Sequence, residues 1–347
     1  MGTGHVVRCL TLANALRDNK NIVEFVCRDH PGNMVSTIKK QGFETWLLPA
    51  SKSEKFVEST YTGWLGDTPE NDAHQTIDVI GGEFPDWLII DHYEIDEDWE
   101  VLLRPNCKKI MVIDDLANRK HDCDLLLDQN FYLDEEEPYR GLVLEDCKLL
   151  IGSQYVLLKP QYVLYRNKKK IQNKKVKRIF IFFGGSDRSN MTSFAIEALS
   201  VPEFSYLELD VVVGINNENK QEIIELAEKR PNTVLYSKPL DHLAELMFNT
   251  DLSIGGGGTT TWERMCVGLP SLVIALSENQ LPVAKKLAQL NYIKLIGYAK
   301  EISANDISLA LRQEILSKEY IKRVNLGRNL CDGSGVQKMV KILFQND

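Results

Sequence analysis

Four glycines lie between a short apolar run and a helical pattern, an arrangement that is typical of a phosphate-binding turn. The stretch reads Asp251-Leu-Ser-Ile-Gly-Gly-Gly-Gly-Thr-Thr-Thr-Trp-Glu263. Glycines let backbone N–H groups approach an anion closely, and a helix N-terminus directs unpaired N–H groups and its positive dipole end at that anion. We predict that four residues bind a diphosphate: Gly257, Gly258, Thr259 and Thr260. The alternative is a glycine-rich turn that binds nothing, because such signatures have many false positives.

A carboxylate lies about one turn into the helix that is predicted to begin near Thr259. Glu263 can accept hydrogen bonds from both hydroxyls of a ribose, as an acidic residue does in dinucleotide sites. The turn and this carboxylate together predict binding of a nucleoside diphosphate. Trp262 and Met265 fall on the same helix, and we expect them to pack in the core rather than against a base.

A second loop of the same kind precedes it in the chain. Lys177 to Phe183 reads as a buried strand, and Gly184-Gly185-Ser186-Asp187 reads as a tight turn. A helix is predicted from Asn190 to Leu199, with Asn190 as its N-cap. We expect Gly185 and Ser186 to contribute to the same binding site.

A histidine stands at the start of the chain, behind a third glycine-containing turn. Gly2-Thr-Gly4-His5-Val-Val-Arg8 leads into a helical apolar pattern, which places His5 in the first turn of a helix. A lone histidine is more often structural than catalytic. At a helix N-terminus, however, the dipole disfavours the imidazolium ion and keeps a neutral base available near pH 7. We therefore predict that His5 is a general base.

Polar side chains also follow three predicted strands, at the strand ends where α/β sites assemble. Asp91-His92-Tyr93 follows the first, and His92 and Tyr93 are either site residues or hydrogen-bonded side chains at a strand end. Asp114-Asp115 follows the second and can orient a sugar or a loop, although structural capping is the favoured interpretation. Ser277-Glu278-Asn279-Gln280 follows the third, where the amides can bind sugar hydroxyls; a solvated turn is the alternative.

Composition narrows the class of protein. The chain has 347 residues, of which 44% are hydrophobic and 26% charged, so it can form two domains of usual size. Its net charge of −8 argues against nucleic acid and anionic membranes as partners. Seven cysteines without a Cys-x-x-Cys pair, and no signal peptide, favour a cytoplasmic protein. His121-Asp-Cys123-Asp124 lacks a companion cluster, so we predict no metal site.

Strand-like runs alternate with helical patterns along the chain, which predicts an α/β protein with parallel sheets. The basic run 166–177 has almost no apolar content, and we interpret it as an interdomain connection; an anion-binding tract is the alternative. The expected domains are 1–165 and 178–335, and a C-terminal helix at 336–347 can pack back on the first domain. The ten predicted strands are Ile22–Cys27, Glu44–Leu48, Trp87–Asp91, Lys109–Ile113, Leu125–Leu127, Arg178–Phe183, Leu207–Val213, Thr233–Ser237, Asp251–Ile254 and Ser271–Ile274.

The turn before His5 also predicts a strand in front of it. In a doubly wound sheet such a turn follows a strand, and that strand is central. The printed sequence starts with the turn itself, so we expect the first sheet to lack its first N-terminal strand and to have exposed strand edges unless another segment fills the gap.

Several of these segments together resemble the hydrolases of pseudaminic acid biosynthesis, which act on UDP-2,4-diacetamido-2,4,6-trideoxy-β-L-altropyranose. The resemblance covers nearly the whole chain, to Asp332-Gly-Ser-Gly335. It rests on Gly2 to Ala13, Asp91-His-Tyr93, Ile113 to Arg119, His121 to Asn130, Gly256 to Glu263 and Glu278-Asn-Gln280.

This family is similar to GT-B glycosyltransferases, particularly the enzyme that adds N-acetylglucosamine in peptidoglycan synthesis. The resemblance implies two Rossmann-like domains whose parallel sheets face a central cleft, with UDP held mainly by the second. It also implies a cytoplasmic monomer that serves flagellin or surface glycan modification and needs neither cofactor nor metal.

The resemblance assigns roles to individual residues. His5 matches the histidine thought to activate water against the anomeric carbon, and Tyr93 and Asn279 match catalytic-site residues on the sugar side. Glu263 would hold the ribose. The remaining substrate-binding positions are Gly4, Arg8, Gly185, Ser186, Gly257, Gly258, Thr259, Thr260, Glu278 and Gln280. UDP is a good leaving group, so helix N–H groups that neutralise its charge let one base suffice.

Two other functions remain open at this point. A UDP-sugar glycosyltransferase of the same fold would place an acceptor hydroxyl where the hydrolase places water, and fold alone does not separate the two. A non-catalytic nucleotide-sugar binding protein would bind the substrate without releasing UDP.

Overall fold

The computed structural model describes residues 3–50, 63–133, 137–168, 175–214 and 216–344. The described chain divides into two compact units. The first comprises Thr3–Leu157 and the C-terminal residues from Val336, and the second is Leu158–Gly335. The division precedes the basic run 166–177, and residues 169–174 of that predicted connection lie outside the described residues.

The first unit alternates helices with parallel strands. Two parallel sheets form, one of β1–β2 and one of β3–β4–β5–β6, and β1 and β3 are not paired with each other in this part of the chain. The elements are α1 (Thr3–Asp18), β1 (Glu24–Arg28), α2 (Val35–Lys40), β2 (Glu44–Leu48), α3 (Pro69–Ile80), β3 (Trp87–Ile90), α4 (Glu97–Leu103), β4 (Lys109–Ile113), β5 (Leu125–Asp128) and β6 (Lys148–Ile151).

Helix α1 is held by apolar residues on two of its faces. Leu12 and Leu16 pack in a cluster with Met111 of β4 and Leu127 of β5. On another face, Leu10 and its neighbour Ala13 pack with the α2 region. Burial of several large aliphatic side chains, each worth about 1.5–3 kcal/mol, fixes the orientation of α1 and therefore of its first turn.

The second unit is a doubly wound α/β domain. Its six parallel strands have the order β12-β11-β10-β7-β8-β9. Strands β8 and β9 are therefore added on one side of β7 and the last three strands on its other side, and the strand order reverses between β7 and β10. Its elements, together with the final helix, are α5 (Pro160–Asn167), β7 (Arg178–Phe182), α6 (Met191–Ala198), β8 (Glu208–Val212), α7 (Lys220–Lys229), β9 (Thr233–Tyr236), α8 (Ala244–Asn249), β10 (Leu252–Gly256), α9 (Thr260–Val267), β11 (Ser271–Ala275), α10 (Gln280–Gln289), β12 (Lys294–Tyr298), α11 (Ala304–Ser317), α12 (Tyr320–Leu330) and α13 (Gly335–Phe344).

The final helix, α13, packs on the first unit. Val336, Met339 and Leu343 lie in the same buried cluster as Leu12 of α1 and Met111 of β4. Their spacing of three and four residues places them on one face of the helix.

The prediction of an α/β fold with parallel sheets is confirmed, and all ten predicted strands form, with ends that differ by up to two residues. Two strands, β6 and β12, were not predicted. None of the described helices is long and apolar enough to cross a lipid bilayer.

Two local predictions were wrong. Gly255 and Gly256 belong to β10 rather than to the turn, because they pair with Val273 and Ile274 of β11. The cap of α6 comes from Asp187, whose carboxylate accepts from the backbone N–H groups at the start of the helix. Asn190 has a left-handed backbone and makes no capping hydrogen bond through its side chain.

Candidate functional site

In the first unit, the first turn of α1 meets the end of β3 through a histidine–aspartate pair. Nδ1–H of His5 donates to Oδ1 of Asp91, and the two atoms are 2.6 Å apart. His5 is only 9% exposed. This contact orients the imidazole and leaves Nε2 with its lone pair. Gly4, predicted to lie in a turn, is the second residue of α1.

A buried arginine ties this pair to the end of β4. The guanidinium of Arg8 donates to both oxygens of Asp91, at 2.7 and 2.6 Å. It also donates to Asp115 at 2.7 Å. These carboxylates therefore engage the guanidinium inside the protein, and a role for Arg8 in binding substrate stays a prediction.

Tyr93 lies against both groups. Its hydroxyl donates to Asp115 at 2.8 Å, and its ring meets the ring of His5 edge-on, with centroids 4.6 Å apart. Burial and the nearby Asp115 carboxylate hold the pKa of Tyr93 well above its ordinary value. The phenol is therefore a neutral donor beside the histidine.

The carboxylate beside His5 is held as an anion. Burial alone would raise the pKa of Asp91, but the charge of Arg8 and the hydrogen bonds from Arg8 and His5 outweigh burial and hold this pKa well below its ordinary value. Asp91 is thus an anion that stabilises the imidazolium formed when Nε2 takes a proton. Such a pair is the arrangement that general-base chemistry requires.

The predicted candidate His92 has a structural position. Its Nδ1 accepts from the backbone N–H of Glu94 at 3.1 Å, and its carbonyl accepts from Arg119. Burial lowers the pKa of His92 to about 3, so the ring is neutral at physiological pH. These contacts fix the turn that follows β3.

Asp114 has the capping role expected of it. Its carboxylate accepts from the backbone N–H groups of Leu116 and Ala117 and pairs with Arg119 at 2.8 Å. The hydroxyl of Tyr139 bridges Asp114 and Asp128, at 3.0 and 2.9 Å. Burial and the charge of Asp115 raise the pKa of Asp128 to about 7.

In the second unit, two glycine loops lie at the point where the strand order reverses. Gly185 and Ser186 follow β7, and Gly257 and Gly258 follow β10, its neighbour. In open α/β sheets ligands bind in this crevice, at the carboxyl ends of the strands. The backbone is crowded there, because a Cβ on Gly214 would lie 2.2 Å from the carbonyl oxygen of Gly185.

The loop after β10 opens α9, which has Thr260 as its first residue and Thr259 before it. The side chain of Thr259 does not cap the helix. The N–H groups of Thr261 and Trp262 donate to the carbonyls of Gly258 and Thr259. An anion at this helix N-terminus would therefore be met by the N–H groups that precede them. A Cβ on Gly258 would have nothing nearer than 3.6 Å, which leaves room for close approach of a ligand.

Glu263, in the next turn of α9, has an unpaired acceptor. Its Oε2 is buried without a hydrogen-bond partner among the described residues. Burial raises the pKa of Glu263 to about 7, although a hydrogen bond from Tyr162 opposes the shift. A buried carboxylate oxygen without a donor is costly, so it suits a ligand that brings hydroxyl groups.

The neighbouring Arg264 holds both ends of this loop through hydrogen bonds. It is fully buried, and its Nη2 donates to the carbonyl of Gly256 at 2.6 Å and to Thr261 at 3.0 Å. A Cβ on Gly255 would lie 2.3 Å from Nη1 of this guanidinium. Trp262 and Met265 are buried, as predicted.

The loop after β11 lies beside the glycines. Oε1 of Gln280 accepts from the backbone N–H of Leu276 at 3.0 Å and would lie 3.3 Å from a Cβ on Gly257. Glu278 and Asn279 are exposed, and Oδ1 of Asn279 accepts from Ser277 at 2.5 Å. Their predicted contacts with substrate stay predictions.

The structure adds residues that were not predicted as site residues. Asp91 was seen only as part of a motif, and Asp115 only as a capping residue or a sugar-orienting group. Arg264 was not singled out. The signal for Asp91 and Asp115 was their position directly after a predicted strand. That position does not specify which helix packs against the strand end.

Curated relatives are consistent with the resemblance seen in the motifs. The chain is 30% identical, over 81% of its length, to an uncharacterized protein of Methanocaldococcus jannaschii, but spans only about half (54%) of that protein. It is 27% identical over 84% of its length to the UDP-2,4-diacetamido-2,4,6-trideoxy-β-L-altropyranose hydrolase of Campylobacter jejuni, of which it covers 93%. It is 26% identical over 59% of its length to the spore coat polysaccharide biosynthesis protein SpsG of Bacillus subtilis, of which it covers 60%. No family model matches the chain.

Solved structures show the fold. Arabidopsis thaliana UGT89C1 in complex with UDP matches with a TM-score of 0.67 and 13% identity, over 96% of this chain and 95% of that one. MurG of Acinetobacter baumannii matches with a TM-score of 0.65 and 13% identity, over 99% and 96%. The chain therefore has a GT-B fold and is similar in sequence to the UDP-2,4-diacetamido-2,4,6-trideoxy-β-L-altropyranose hydrolases.

Proposed function

We propose that this protein is a nucleotide-sugar hydrolase that releases UDP from UDP-2,4-diacetamido-2,4,6-trideoxy-β-L-altropyranose. Water attacks the anomeric carbon, and the configuration there inverts. The step belongs to pseudaminic acid biosynthesis. The observation that carries the proposal is the buried pair of His5 and Asp91, because it supplies an oriented base with a counter-ion at a strand end.

His5 takes a proton from water as the oxygen bonds to carbon. Nε2 accepts this proton, and the resulting imidazolium is stabilised by Asp91. The neutral hydroxyl of Tyr93 lies beside the ring, although its proton is engaged with Asp115. Tyr93 therefore orients the cluster, and its predicted role in catalysis is part of the proposal.

The second unit supplies the leaving-group site. The N–H groups at Gly258 to Thr260 neutralise the charge that develops on UDP when the bond to the sugar breaks. The unpaired Oε2 of Glu263 accepts from the ribose. UDP needs no further activation as a leaving group, so the proposed reaction does not call on a metal.

The test is to incubate the protein with candidate UDP-sugars and no acceptor, and to identify products by mass. We expect free UDP and free sugar. His5→Ala should lower turnover by a factor of about 10²–10⁴, the usual worth of a positioned base, and should leave the affinity for UDP unchanged. UDP release that depends on an added sugar acceptor would instead identify a glycosyltransferase. Binding without release would identify a binding protein.

A further inference from the structure

An aromatic side chain extends the His5–Tyr93 cluster in the first unit. The ring of Trp64 stacks on the ring of Tyr93, with centroids 6.1 Å apart and planes 23° apart. Tyr93 in turn meets His5 edge-on at 4.6 Å. Trp64 is half-buried.

The backbone on both sides of Trp64 is anchored by one carboxylate. Oε1 of Glu94 accepts from the N–H of Gly63 at 2.7 Å, and Oε2 accepts from the N–H of Leu65 at 2.6 Å. Leu65 is buried in the core of the unit. Because Glu94 follows Tyr93 in the chain, one turn holds both stacked rings.

This arrangement is more specific than core packing requires. Leu65 already attaches the segment to the core, and the carboxylate bonds of Glu94 fix the direction of the neighbouring indole. Charge-assisted hydrogen bonds of this kind are shorter and stronger than neutral ones. The result is a preorganised aromatic surface next to the base, which is how binding sites gain specificity.

We propose that Trp64 is a specificity-determining residue that contacts the sugar of the nucleotide-sugar substrate, and that Glu94 is its positioning residue. This inference rests on the proposed function. The proposed sugar carries two acetamido methyl groups and a 6-deoxy methyl group. These apolar groups, and the C–H face of the ring, can be buried against an indole, whereas a hydroxylated sugar loses water without compensation.

The contact is made in the ground state, so its loss should appear in KM and not in kcat. We expect Trp64→Ala to raise KM for the diacetamido sugar by about 10–100-fold, the usual effect of losing small apolar contacts in a pocket. Trp64→Phe should keep most of the affinity. Glu94→Gln keeps the shape but loses the charge, so its KM should lie between those of the wild type and Trp64→Ala.

Two measurements separate this role from a structural one. Calorimetry should give the same Kd for UDP in all three variants, because UDP has no sugar for Trp64 to contact. Trp46→Ala is the matched control, since Trp46 is 43% exposed on β2 and should change neither KM nor Kd. Thermal melts identify any variant that is poorly folded, in which case Trp64→Phe and Glu94→Gln decide.

The proposal is overturned if Trp64→Ala keeps KM within about twofold of the wild type, or if its Kd for UDP weakens as much as KM rises. If the wild type releases no UDP, the proposed hydrolysis fails, but this inference can still be tested. The Kd for the intact UDP-sugar should then weaken in Trp64→Ala while the Kd for UDP does not. Equal changes in both would overturn the inference.

Discussion

At the scale of single residues, the central feature is the buried carboxylate of Asp91, which is paired with the proposed base His5. Asp91 makes three contacts with His5 and Arg8. The charge of Arg8 and the hydrogen bonds from Arg8 and His5 outweigh burial and hold the pKa of the Asp91 carboxyl well below its ordinary value. It therefore remains charged across the range in which an enzyme would work.

Asp91→Asn tests this feature. The amide keeps the shape but removes the charge that orients His5 and stabilises its protonated form. We expect kcat to fall by a factor of about 10²–10⁴, with the Kd for UDP unchanged. Asp98→Asn, an exposed residue of α4, is the control. Turnover of Asp91→Asn within a few-fold of wild type would show that His5 does not depend on Asp91.

Glu263 gives a pH-dependent prediction. Burial raises the pKa of Glu263 to about 7, and only its ionised form accepts from both ribose hydroxyls. Affinity for UDP should therefore rise with pH between about 6 and 8, with release of a proton on binding. Glu263→Gln should remove this dependence and weaken binding by about 1–3 kcal/mol. Calorimetry in buffers of different ionisation enthalpy checks both.

The same group affects folding in the opposite direction. A folded-state pKa above the ordinary value means that the native protein binds more protons than the unfolded chain between about pH 4.5 and 7. The contribution of Glu263 to stability is therefore present at low pH and lost as pH rises through 7.

An affinity for UDP that is independent of pH would contradict the assignment of Glu263 to the ribose.

Not all of these residues were predictable. The sequence pointed to His5 and Glu263 because each falls at a distinctive place on a helix behind glycines. The partner of His5 was not assigned, because Asp91 is 86 residues away in the chain. That pairing depends on how α1 packs against the sheet, which periodicity does not specify.

At the scale of elements, strand β10 is packed tightly against a side chain of helix α9. Position 255, inside the strand, requires a glycine because the guanidinium of Arg264 and the carbonyl of Phe182 occupy the space where a side chain would be, 2.3 and 2.5 Å from an added Cβ. The glycine run thus has two roles, and its second half alone forms the loop. Reading the run as one turn missed this division.

A pair of substitutions separates the two roles. Gly255→Ala should lower the free energy of unfolding by about 1–3 kcal/mol or more, because the neighbouring backbone carbonyl cannot move easily. Gly258→Ala should leave stability nearly unchanged, since a Cβ there meets only the Gln280 amide at 3.6 Å, but should weaken UDP binding. Thermal melts and calorimetry on both variants decide. Equal loss of stability in the two would contradict the division.

The apolar pattern of the sequence did not predict strands β6 and β12. Lys148–Ile151 is short and half exposed, and Lys294–Tyr298 contains a glycine, so neither has a strong apolar signal. Both are the outermost strands of their sheets. Edge strands bury fewer side chains, and their sequence is therefore less constrained.

At the scale of the whole molecule, the fold class and the parallel sheets could be predicted because strand-like runs alternate with helical patterns. The choice between hydrolase and transferase could not. MurG and UGT89C1 have the same fold at 13% identity, and fold does not fix function. In the proposed mechanism the distinction lies in which oxygen His5 deprotonates, that of water or that of an acceptor hydroxyl.

The most direct measurement is hydrolysis of the UDP-sugar in ¹⁸O-labelled water. A single attack of water on the anomeric carbon places the label in the free sugar and none in UDP, and inverts the configuration. Early NMR spectra should show the opposite anomer before mutarotation scrambles it. Label in UDP would mean attack at phosphorus and would contradict the account, as would release of sugar only when an acceptor is added.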